Sequence, residues 1–297
     1  MNFNESLTIK VDNIEKIIRK YLPKEEGYQR TVLEAMNYSM LAGGKRLRPM
    51  LVQEVFEAFG GKGDLAEPFM AAIEMIHTYS LVHDDLPAMD DDEYRRGRKT
   101  THVVYGEAMG ILAGDALLNF AFETALSAFH IAATEEYPRV ARALQVLARK
   151  AGIYGMIGGQ VCDVESEEST EPISGEQLLF IHEHKTAALI QAAMMVGGIL
   201  AGAGEEQIAG LEQSAYDLGI AFQIQDDILD VTSTFEELGK PIGSDAKNHK
   251  QTYVSIYGLE QAKEEVKRLS EEAISLLGLG ADSFLAQLFE SLIYRSK

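Results

Sequence analysis

The sequence lacks the features of secreted and nucleic-acid-binding proteins. Its single cysteine, Cys162, excludes an internal disulfide and indicates a reducing compartment. Its 27 Lys and Arg residues are outnumbered by 46 Asp and Glu residues, and the formal net charge of −19 argues against nucleic-acid binding. The first residues carry charges throughout, without the apolar core of a signal peptide. We therefore expect a cytoplasmic protein that does not bind nucleic acid.

Strongly hydrophobic runs are also scarce. The uncharged stretch 186–204 is rich in Ala and Gly, is interrupted by Gln191 and has no basic flank on its C-terminal side. A membrane span of this length would need stronger hydropathy. We expect a buried helix here, and no membrane span in the protein.

Alternating β-branched runs are nearly absent, and no Asn-Gly hairpin turn occurs. Instead, apolar residues recur with a period near 3.6, which predicts helices over 28–41, 48–59, 65–85, 107–131, 138–158, 175–199, 205–231 and 259–277. Asp64 is the expected N-cap of the third helix, and 165–172 and 235–243 are expected to be loops. With 46% hydrophobic residues, we predict one all-α domain over 1–297, a single large helical bundle with a central cavity.

Two aspartate clusters lie about 140 residues apart, and each follows an apolar helical stretch. Paired carboxylates repel one another by roughly 4 kcal/mol near a protein surface, and the negative dipole at a helix C-terminus adds to the strain. A bound cation would relieve both, and carboxylate oxygens suit Mg²⁺. The alternative is a pair of solvated acidic helix ends. The members are Asp84, Asp85 and Asp90 in DDLPAMD, and Asp226, Asp227 and Asp230 in DDILD.

Helical spacing groups further residues with these clusters. His77 and Asp84 share one stripe, and Ser80 lies one turn below Asp84. Pro87 then breaks the helix, so Asp90 would return from the following turn. In the second cluster Gln223 shares its face with Asp227. A lone His on an apolar face is usually a core residue, and only this shared stripe favours a ligand role for His77.

Basic residues stand beside the acidic ones. Lys45, Arg46 and Arg48 occupy GGKRLRP, where glycines allow close backbone approach and a helix start offers N–H groups. Arg95 and Arg96 follow the first aspartate cluster, and adjacent guanidinium groups could hold two different anions. The alternative is a solvated cationic turn. In so acidic a chain, we favour phosphate binding.

Two isolated lysines complete the candidate site. Lys185 precedes the uncharged stretch, and Lys240 lies in LGKPIG beyond the second aspartate cluster. The expected floor of the cavity is apolar helix, with Tyr79 on one side and Phe222 on the other. Carboxylates, cations and an apolar floor together predict a pair of substrates with diphosphate heads and hydrocarbon tails.

These motifs resemble those of the trans-isoprenyl diphosphate synthase family, and within it those of bacterial farnesyl diphosphate synthases. The resemblance covers nearly the whole chain, and two separated aspartate motifs combined with GGKR and paired arginines are highly specific. The matching segments are GGKRLRP from Gly43, HTYSLVHDDLPAMDDDEYRRG from His77, GMIGGQVCDV from Gly155, KTAALI from Lys185, FQIQDDILD from Phe222 and LGK ending at Lys240.

The resemblance implies a role for each matching residue. An isopentenyl diphosphate site is implied for Gly44, Lys45, Arg48, His77 and Arg96. Contacts to the diphosphate of an allylic substrate are implied for Arg95, Lys185 and Lys240, with possible help from Lys250. The six aspartates Asp84, Asp85, Asp90, Asp226, Asp227 and Asp230 would hold Mg²⁺, with three ions expected, and Thr186 and Gln223 would face the developing carbocation.

The implied reaction is the trans condensation of isopentenyl diphosphate with dimethylallyl or geranyl diphosphate, and the resemblance also implies a homodimer. Mg²⁺ and lysines stabilise the departing pyrophosphate, the isopentenyl double bond attacks the allylic cation, and pyrophosphate removes the proton. The chain departs from the family at Ala187, commonly Gly, and at Val254, commonly Pro. Neither departure removes a charged ligand.

In the family, the residue five before the first Asp often sets the depth of the hydrocarbon pocket, and here it is Tyr79, beside Ser80. A large ring predicts a fifteen-carbon product, farnesyl diphosphate. The alternatives are geranylgeranyl diphosphate synthesis and, in another class, a non-catalytic subunit of a prenyl synthase. A terpene cyclase is disfavoured because DDILD replaces the metal motif expected there.

Overall fold

A computed structural model describes residues 2–169, 171–232, 251–280 and 282–294. These residues are almost entirely helical, so the all-α prediction is confirmed. The chain forms two compact units, Met1–Gln145 with Val196–Gly202 (unit 1) and Val146–Met195 with Ala203–Lys297 (unit 2). The prediction of one domain over 1–297 stays a prediction. Lys240, Lys250 and the expected loop 235–243 lie outside the described residues.

Unit 1 is built around a helix that is buried on most of its surface. This helix, α4 (Glu67–Asp84), packs against α3 (Leu47–Ala58) and α6 (Glu107–Leu126), and its apolar residues such as Phe69 and Met75 are buried. The helices of the unit are α1 (Phe3–Tyr21), α2 (Arg30–Met40), α3 (Leu47–Ala58), α4 (Glu67–Asp84), α5 (Thr101–Tyr105) and α6 (Glu107–Leu126), followed by 3₁₀ turns Ser127–His130 and Thr134–Glu136. Helix α7 (Tyr137–Ala151) continues from unit 1 into unit 2.

Helix starts in unit 1 only partly follow the sequence signals. Asn2 forms a capping box with Glu5, in which the Asn2 side chain accepts the Glu5 N–H at 2.9 Å. The expected N-cap at Asp64 is wrong, because α4 begins after Ala66. The Asp64 carbonyl instead accepts the N–H of Glu67, which forms a turn ahead of the helix.

A short hairpin interrupts the helices of unit 1. Strands β1 (Tyr94–Arg95) and β2 (Arg98–Lys99) pair antiparallel across Arg96 and Gly97, whose φ angles are 54° and 74°. Two positive φ angles mark the type of tight turn that matches strand twist. The sequence carries no hairpin signal of the Asn-Gly type, so this hairpin was not predicted. The two turn residues are Arg and Gly, whereas the usual sequence signal for such a turn is Asn followed by Gly.

Unit 2 surrounds a helical segment of unusual geometry. Residues His182–Ala187 form a π-helix, which packs against α8 and α11. The helices are α8 (Met156–Glu168), α9 (Gly175–Ile181), α10 (Ala188–Ala201, of which the end belongs to unit 1), α11 (Glu205–Thr232), α12 (Tyr253–Tyr257), α13 (Leu259–Leu276) and α14 (Phe284–Ile293). The single helix predicted over 175–199 is therefore three segments of differing pitch.

Two further expectations about unit 2 are corrected. The helix predicted over 138–158 is broken, because α7 ends at Ala151 and α8 begins at Met156. At the break a Cβ on Gly155 would lie 2.0 Å from the Lys150 carbonyl oxygen, so only glycine permits this turn. The loop expected over 165–172 begins later, since α8 continues to Glu168.

The uncharged stretch forms part of the π-helix and α10, whose side chains such as Leu189 and Met194 are buried, as expected. A different helix, Glu107–His130, is long and apolar enough by length and composition to cross a bilayer. Core helices of soluble proteins meet the same criterion. This single apolar helix is weak support for a membrane span.

Candidate active site

In unit 1 the loop between α2 and α3 is fixed by a buried arginine. The Arg46 guanidinium donates to Glu15 Oε1 at 2.6 Å, to Glu74 Oε1 at 2.7 Å and to the Met40 carbonyl at 2.7 Å. Its backbone is left-handed, with φ 48°, immediately before α3. Of the three basic residues grouped in GGKRLRP, Arg46 is thus a structural member, whereas Lys45 is exposed and Arg48 is half-buried.

Gly44 and Arg96, which the resemblance assigns to the same site, lie in direct contact. The Arg96 guanidinium donates to the Gly43 carbonyl. A Cβ on Gly44 would lie 2.5 Å from Arg96 Nη1, and Gly44 has a φ of 139°. The glycine therefore makes room for the guanidinium group and supplies a conformation that other residues rarely adopt.

Arg48 and His77 share a strongly cationic environment. Burial lowers the pKa of Arg48 to about 10, and within the described chain its buried Nε has no hydrogen-bond partner. Burial, followed by repulsion from Arg48 and Arg96, holds the pKa of His77 well below its usual range. His77 is therefore neutral near pH 7. An anion at this position would satisfy the Arg48 donor and relieve the repulsion among the guanidinium groups.

The first aspartate cluster closes over the end of α4. Asp84 is the last residue of the helix, and its carbonyl accepts the Asp90 N–H at 2.9 Å, which confirms that Asp90 returns beside the helix end. Asp85 is buried and accepts a 2.6 Å hydrogen bond from Arg95 Nε. Burial raises the pKa of Asp85, while Arg95 acts in the opposite direction. Arg95 thus orients one carboxylate of the cluster.

One turn below this cluster, Tyr79 packs edge-to-face on His83, with ring centroids 5.8 Å apart. Tyr79 is buried, and burial together with Asp84 raises its pKa to about 12. The Ser80 hydroxyl donates to the His77 carbonyl of its own helix at 2.9 Å. A Cβ on Gly114 of α6 would lie 2.1 Å from His83 Nε2, so close packing of α6 holds this pair in place.

In unit 2 the π-helix presents Lys185 and Thr186. The Lys185 ammonium donates to Asp163 on α8, and the Thr186 hydroxyl donates to Gln223 Oε1 on α11 at 3.0 Å. A π-bulge inside a helix often occurs at a functional site, because its extra residue redirects side chains. Sequence reasoning missed both the π-helix and Asp163, although the spacing of GMIGGQVCDV placed Asp163 within a matching segment.

Glycines on α8 and α11 allow these two helices to pack closely against the π-helix. A Cβ on Gly159 of α8 would lie 2.2 Å from the Lys185 backbone nitrogen, and a Cβ on Gly219 of α11 would lie 2.3 Å from the Ala187 Cβ. Ala187 is fully buried. The methyl group that distinguishes this chain from the family's common glycine therefore packs against α11.

The second aspartate cluster lies near the C-terminal end of α11. Asp226 is exposed, and Asp230 is buried. Asp227 is half-buried and accepts the Tyr253 N–H at 2.7 Å, at the start of α12. That helix is capped by Thr252, whose side chain accepts the Ser255 N–H at 3.1 Å. Val254, the second departure from the family, is the next residue after Tyr253 in this capped helix.

The donor chemistry of these clusters fits Mg²⁺. Each cluster offers carboxylate oxygens, which are hard ligands, and contains an acidic helix end that a cation would stabilise. Within the described residues no group of three or more His, Cys, Asp or Glu side chains is already gathered for a metal ion. Asp85 accepts a hydrogen bond from Arg95, and Asp227 accepts one from the Tyr253 N–H, so protein donors orient one carboxylate in each cluster.

Comparison with known proteins supports this chemistry. Residues 29–283 match the family model of polyprenyl synthetase. The chain is 43% identical to the chloroplastic heterodimeric geranylgeranyl pyrophosphate synthase large subunit 1 of Arabidopsis thaliana, over 99% of this chain and 80% of that protein. It is 44% identical to geranylgeranyl diphosphate synthase of Cyanophora paradoxa, over 88% of this chain and 85% of that protein.

A solved structure extends the similarity to the fold. The chain resembles a geranyltransferase from Helicobacter pylori complexed with magnesium and isoprenyl diphosphate, with a TM-score of 0.81 and 32% identity over 99% of this chain and 97% of that one. The sequence similarity and the structural similarity therefore indicate the same family as the motifs do. The chain belongs to the polyprenyl synthetase family.

Proposed function

We propose that the protein condenses isopentenyl diphosphate with allylic diphosphates in trans, and that its main product is geranylgeranyl diphosphate. The observation that carries diphosphate binding is the buried Arg48 Nε, which has no hydrogen-bond partner among the described residues, beside neutral His77 in a cluster with Arg46 and Arg96. The product length rests on the two geranylgeranyl diphosphate synthases to which the chain is 43% and 44% identical.

The residues of unit 1 suit the binding of isopentenyl diphosphate. Lys45, Arg48 and Arg96 are positively charged, and Gly44 leaves space for Arg96. Because His77 is neutral, it can donate one hydrogen bond to a phosphate oxygen without adding to the repulsion among the guanidinium groups. We propose that Arg95, which donates to Asp85, also contacts the diphosphate of the allylic substrate.

The residues of unit 2 suit the ionisation of the allylic substrate. Lys185 supplies positive charge to the departing pyrophosphate. Thr186 gives its proton to Gln223, so the lone pairs of the Thr186 oxygen remain available to a developing carbocation. The aspartates of both clusters would hold Mg²⁺, for which we propose three ions, and bound Mg²⁺ would act as a Lewis acid on the leaving group. Lys240 and Lys250 keep their proposed diphosphate contacts.

The second candidate product is farnesyl diphosphate, the expectation from the sequence. The buried Tyr79 ring, supported by His83, favours it, because a bulky side chain at this position would limit the hydrocarbon pocket to fifteen carbons. The curated relatives favour twenty carbons. The two products differ by one five-carbon unit, which the product-sizing test below distinguishes.

We also infer a homodimer, associated through α6. Ile111, Leu112 and Leu126 on this helix are 42%, 48% and 50% exposed, although the helix is the apolar one noted above. Exposed apolar side chains along one helix are a feature of protein–protein interfaces. The Arabidopsis relative is itself named as a subunit of a dimer, which supports subunit association. A cytoplasmic location remains our proposal, and relatives in plants are named as chloroplastic.

The test is to incubate the purified protein with Mg²⁺, dimethylallyl diphosphate and excess isopentenyl diphosphate, and to size the dephosphorylated products. We expect mainly a twenty-carbon alcohol. A fifteen-carbon alcohol would support the Tyr79 interpretation, and Tyr79→Ala should then lengthen the product. Magnesium-dependent pyrophosphate binding without condensation would contradict the proposal and indicate a non-catalytic subunit.

A further inference from the structure

A buried carboxylate lies beneath the basic cluster of unit 1. Glu74 on α4 is 2% exposed. It attracts Arg46, Arg48 and Arg96, and acts to raise the pKa of each of them. For Arg46 burial lowers the pKa, but the attraction of Glu74 and the hydrogen bond to Glu15 outweigh it. Asp85 also attracts Arg96. The buried Arg48 Nε still has no hydrogen-bond partner in the described chain, and an anionic ligand would supply one.

The two carboxylates that accept hydrogen bonds from Arg46 lie on different helices. Glu15 is on α1 and Glu74 on α4, while the Met40 carbonyl closes the C-terminal end of α2. The side-chain exposure is 1% for Arg46, 3% for Glu74 and 25% for Glu15. All three arms of the guanidinium fork are thus engaged, and the loop before α3 is tied to three helices through one side chain.

Such a triad contributes geometry more than stability. A buried ion pair often adds no more to folding than well-packed apolar residues of similar volume, because desolvation opposes the attraction between the charges. The planar guanidinium group does fix the orientation of the Arg46 side chain, because each N–H must point at its own acceptor. Fixing the backbone of Arg46 also fixes the positions of its neighbours. Lys45 precedes α3, and Arg48 lies in the first turn of that helix.

We propose that Glu15, Arg46 and Glu74 form a positioning triad, which sets Lys45 and Arg48 at the spacing needed to bind the diphosphate group of isopentenyl diphosphate. The inference rests on the proposed function and deepens it. The three residues do not touch the substrate in this role. They act through the backbone of the loop and through the charge that Glu74 places behind the cluster.

The test uses Arg46→Lys, which keeps the charge but loses the fork, together with Glu74→Gln and Glu15→Gln. The matched control is Glu54→Gln, because Glu54 is a buried carboxylate that accepts from Lys10 of α1 at 2.6 Å and its ion pair also joins α1 to α3. We expect the triad variants to raise KM for isopentenyl diphosphate by about tenfold or more. The KM for the allylic substrate and kcat at saturation should change less than about twofold, since the defect is one of substrate binding. The control should move neither KM.

Folding is checked in parallel by circular dichroism, and Glu15→Gln, whose side chain is the most exposed of the three, serves if the other variants unfold. Folded triad variants with an unchanged KM for isopentenyl diphosphate would overturn the inference. A wild-type protein that fails to condense the substrates contradicts the proposed function instead. The triad is then tested by calorimetric binding of inorganic pyrophosphate, where weaker binding in the triad variants than in Glu54→Gln supports it and equal binding overturns it.

Discussion

Arg46 occupies a backbone conformation that costs free energy, and it does so with a side chain that could have remained in water. A non-glycine residue at φ 48° is strained by about 1–2 kcal/mol, and burial of its charge adds a desolvation cost. The hydrogen bonds to Glu15 and Glu74 offset both. Removing either carboxylate would leave part of a buried charge unpaired, which typically costs about 3–5 kcal/mol.

Gly44→Ala tests whether the glycine makes room for Arg96. We expect the new methyl group, 2.5 Å from Nη1, to displace the guanidinium group and raise KM for isopentenyl diphosphate by about tenfold. Gly60→Ala is the matched control, because Gly60 also has a positive φ, 88°, yet a Cβ there meets nothing within 4 Å and Gly60 does not hydrogen-bond to Arg96. Steady-state kinetics of both variants checks this, and equal effects on KM would attribute the defect to backbone strain alone.

Asp217 on α11 tests the effect of a buried charge on pH stability. Its carboxylate is 2% exposed, and Oδ2 has no hydrogen-bond partner in the described chain. Burial raises its pKa, with Glu272 and Glu265 of α13 acting in the same direction and Arg268 opposing them. The folded state therefore binds the proton more tightly than the unfolded state, so stability falls as pH rises through the raised pKa.

Asp217→Asn removes this penalty and keeps the acceptor for Gln213, which donates at 2.9 Å. We expect a higher free energy of unfolding in urea at pH 7. The gain should shrink toward pH 4, where the unfolded carboxyl also protonates. A gain that is the same at pH 7 and pH 4 would exclude the ionised carboxylate as its cause.

At the scale of elements, the helices could be predicted because their periodicity is local. The π-helix could not, because its extra residue is held by Gly159 and Gly219, which lie far from it in sequence. The aspartate and arginine motifs could likewise be placed by spacing, whereas the partners of Arg46 are 31 and 28 residues away and carry no local signal. The hairpin was missed because Arg96 adopts a positive φ that is uncommon for its residue type.

Gly219→Ala tests the contact between α11 and the π-helix. A Cβ there would lie 2.3 Å from the Ala187 Cβ, and overpacking of this kind costs about 1–3 kcal/mol. We expect lower stability and a lower kcat, because Thr186 would separate from Gln223. Gly210→Ala on the same helix is the control, since its Cβ would be in ordinary contact at 3.6 Å from the Leu276 carbonyl. It should gain up to about 1 kcal/mol from helix propensity. Similar urea midpoints for the two variants would contradict the prediction.

At the scale of the whole molecule, each unit carries one aspartate cluster together with its own cationic residues. Unit 1 contains Asp84 with Arg48 and Arg95, and unit 2 contains Asp226 with Lys185. Positive charge thus lies beside a carboxylate in both units, in the Arg95–Asp85 and Lys185–Asp163 pairs, in a chain of formal net charge −19. Such local pairing of charges is what the sequence predicted, and it separates a diphosphate-binding protein from a uniformly acidic one.

Leu112→Glu tests the proposed homodimer. Placing a charge in an apolar interface leaves it desolvated on both copies, so we expect the variant to elute as a monomer while the wild-type protein elutes with twice the chain mass. Ile9→Glu on α1 is the control, because Ile9 is exposed to a similar extent, 46% against 48%. Size-exclusion chromatography with light scattering measures the masses. A monomeric wild-type protein would exclude the homodimer, and a dimeric Leu112→Glu would exclude α6 as its interface.

The composition of unit 1 has a consequence for biosynthesis. Its last segment, Val196–Gly202, includes Gly197, whose Cβ would lie 2.5 Å from the Val52 carbonyl oxygen of α3. A ribosome must therefore add the 52 residues from 146 to 197 before α3 gains this neighbour, which takes roughly 3–10 s at about 5–20 residues per second. A nascent chain that has just completed α7 already contains the basic loop and the first aspartate cluster, yet unit 1 cannot close until much of the sequence of unit 2 has been translated.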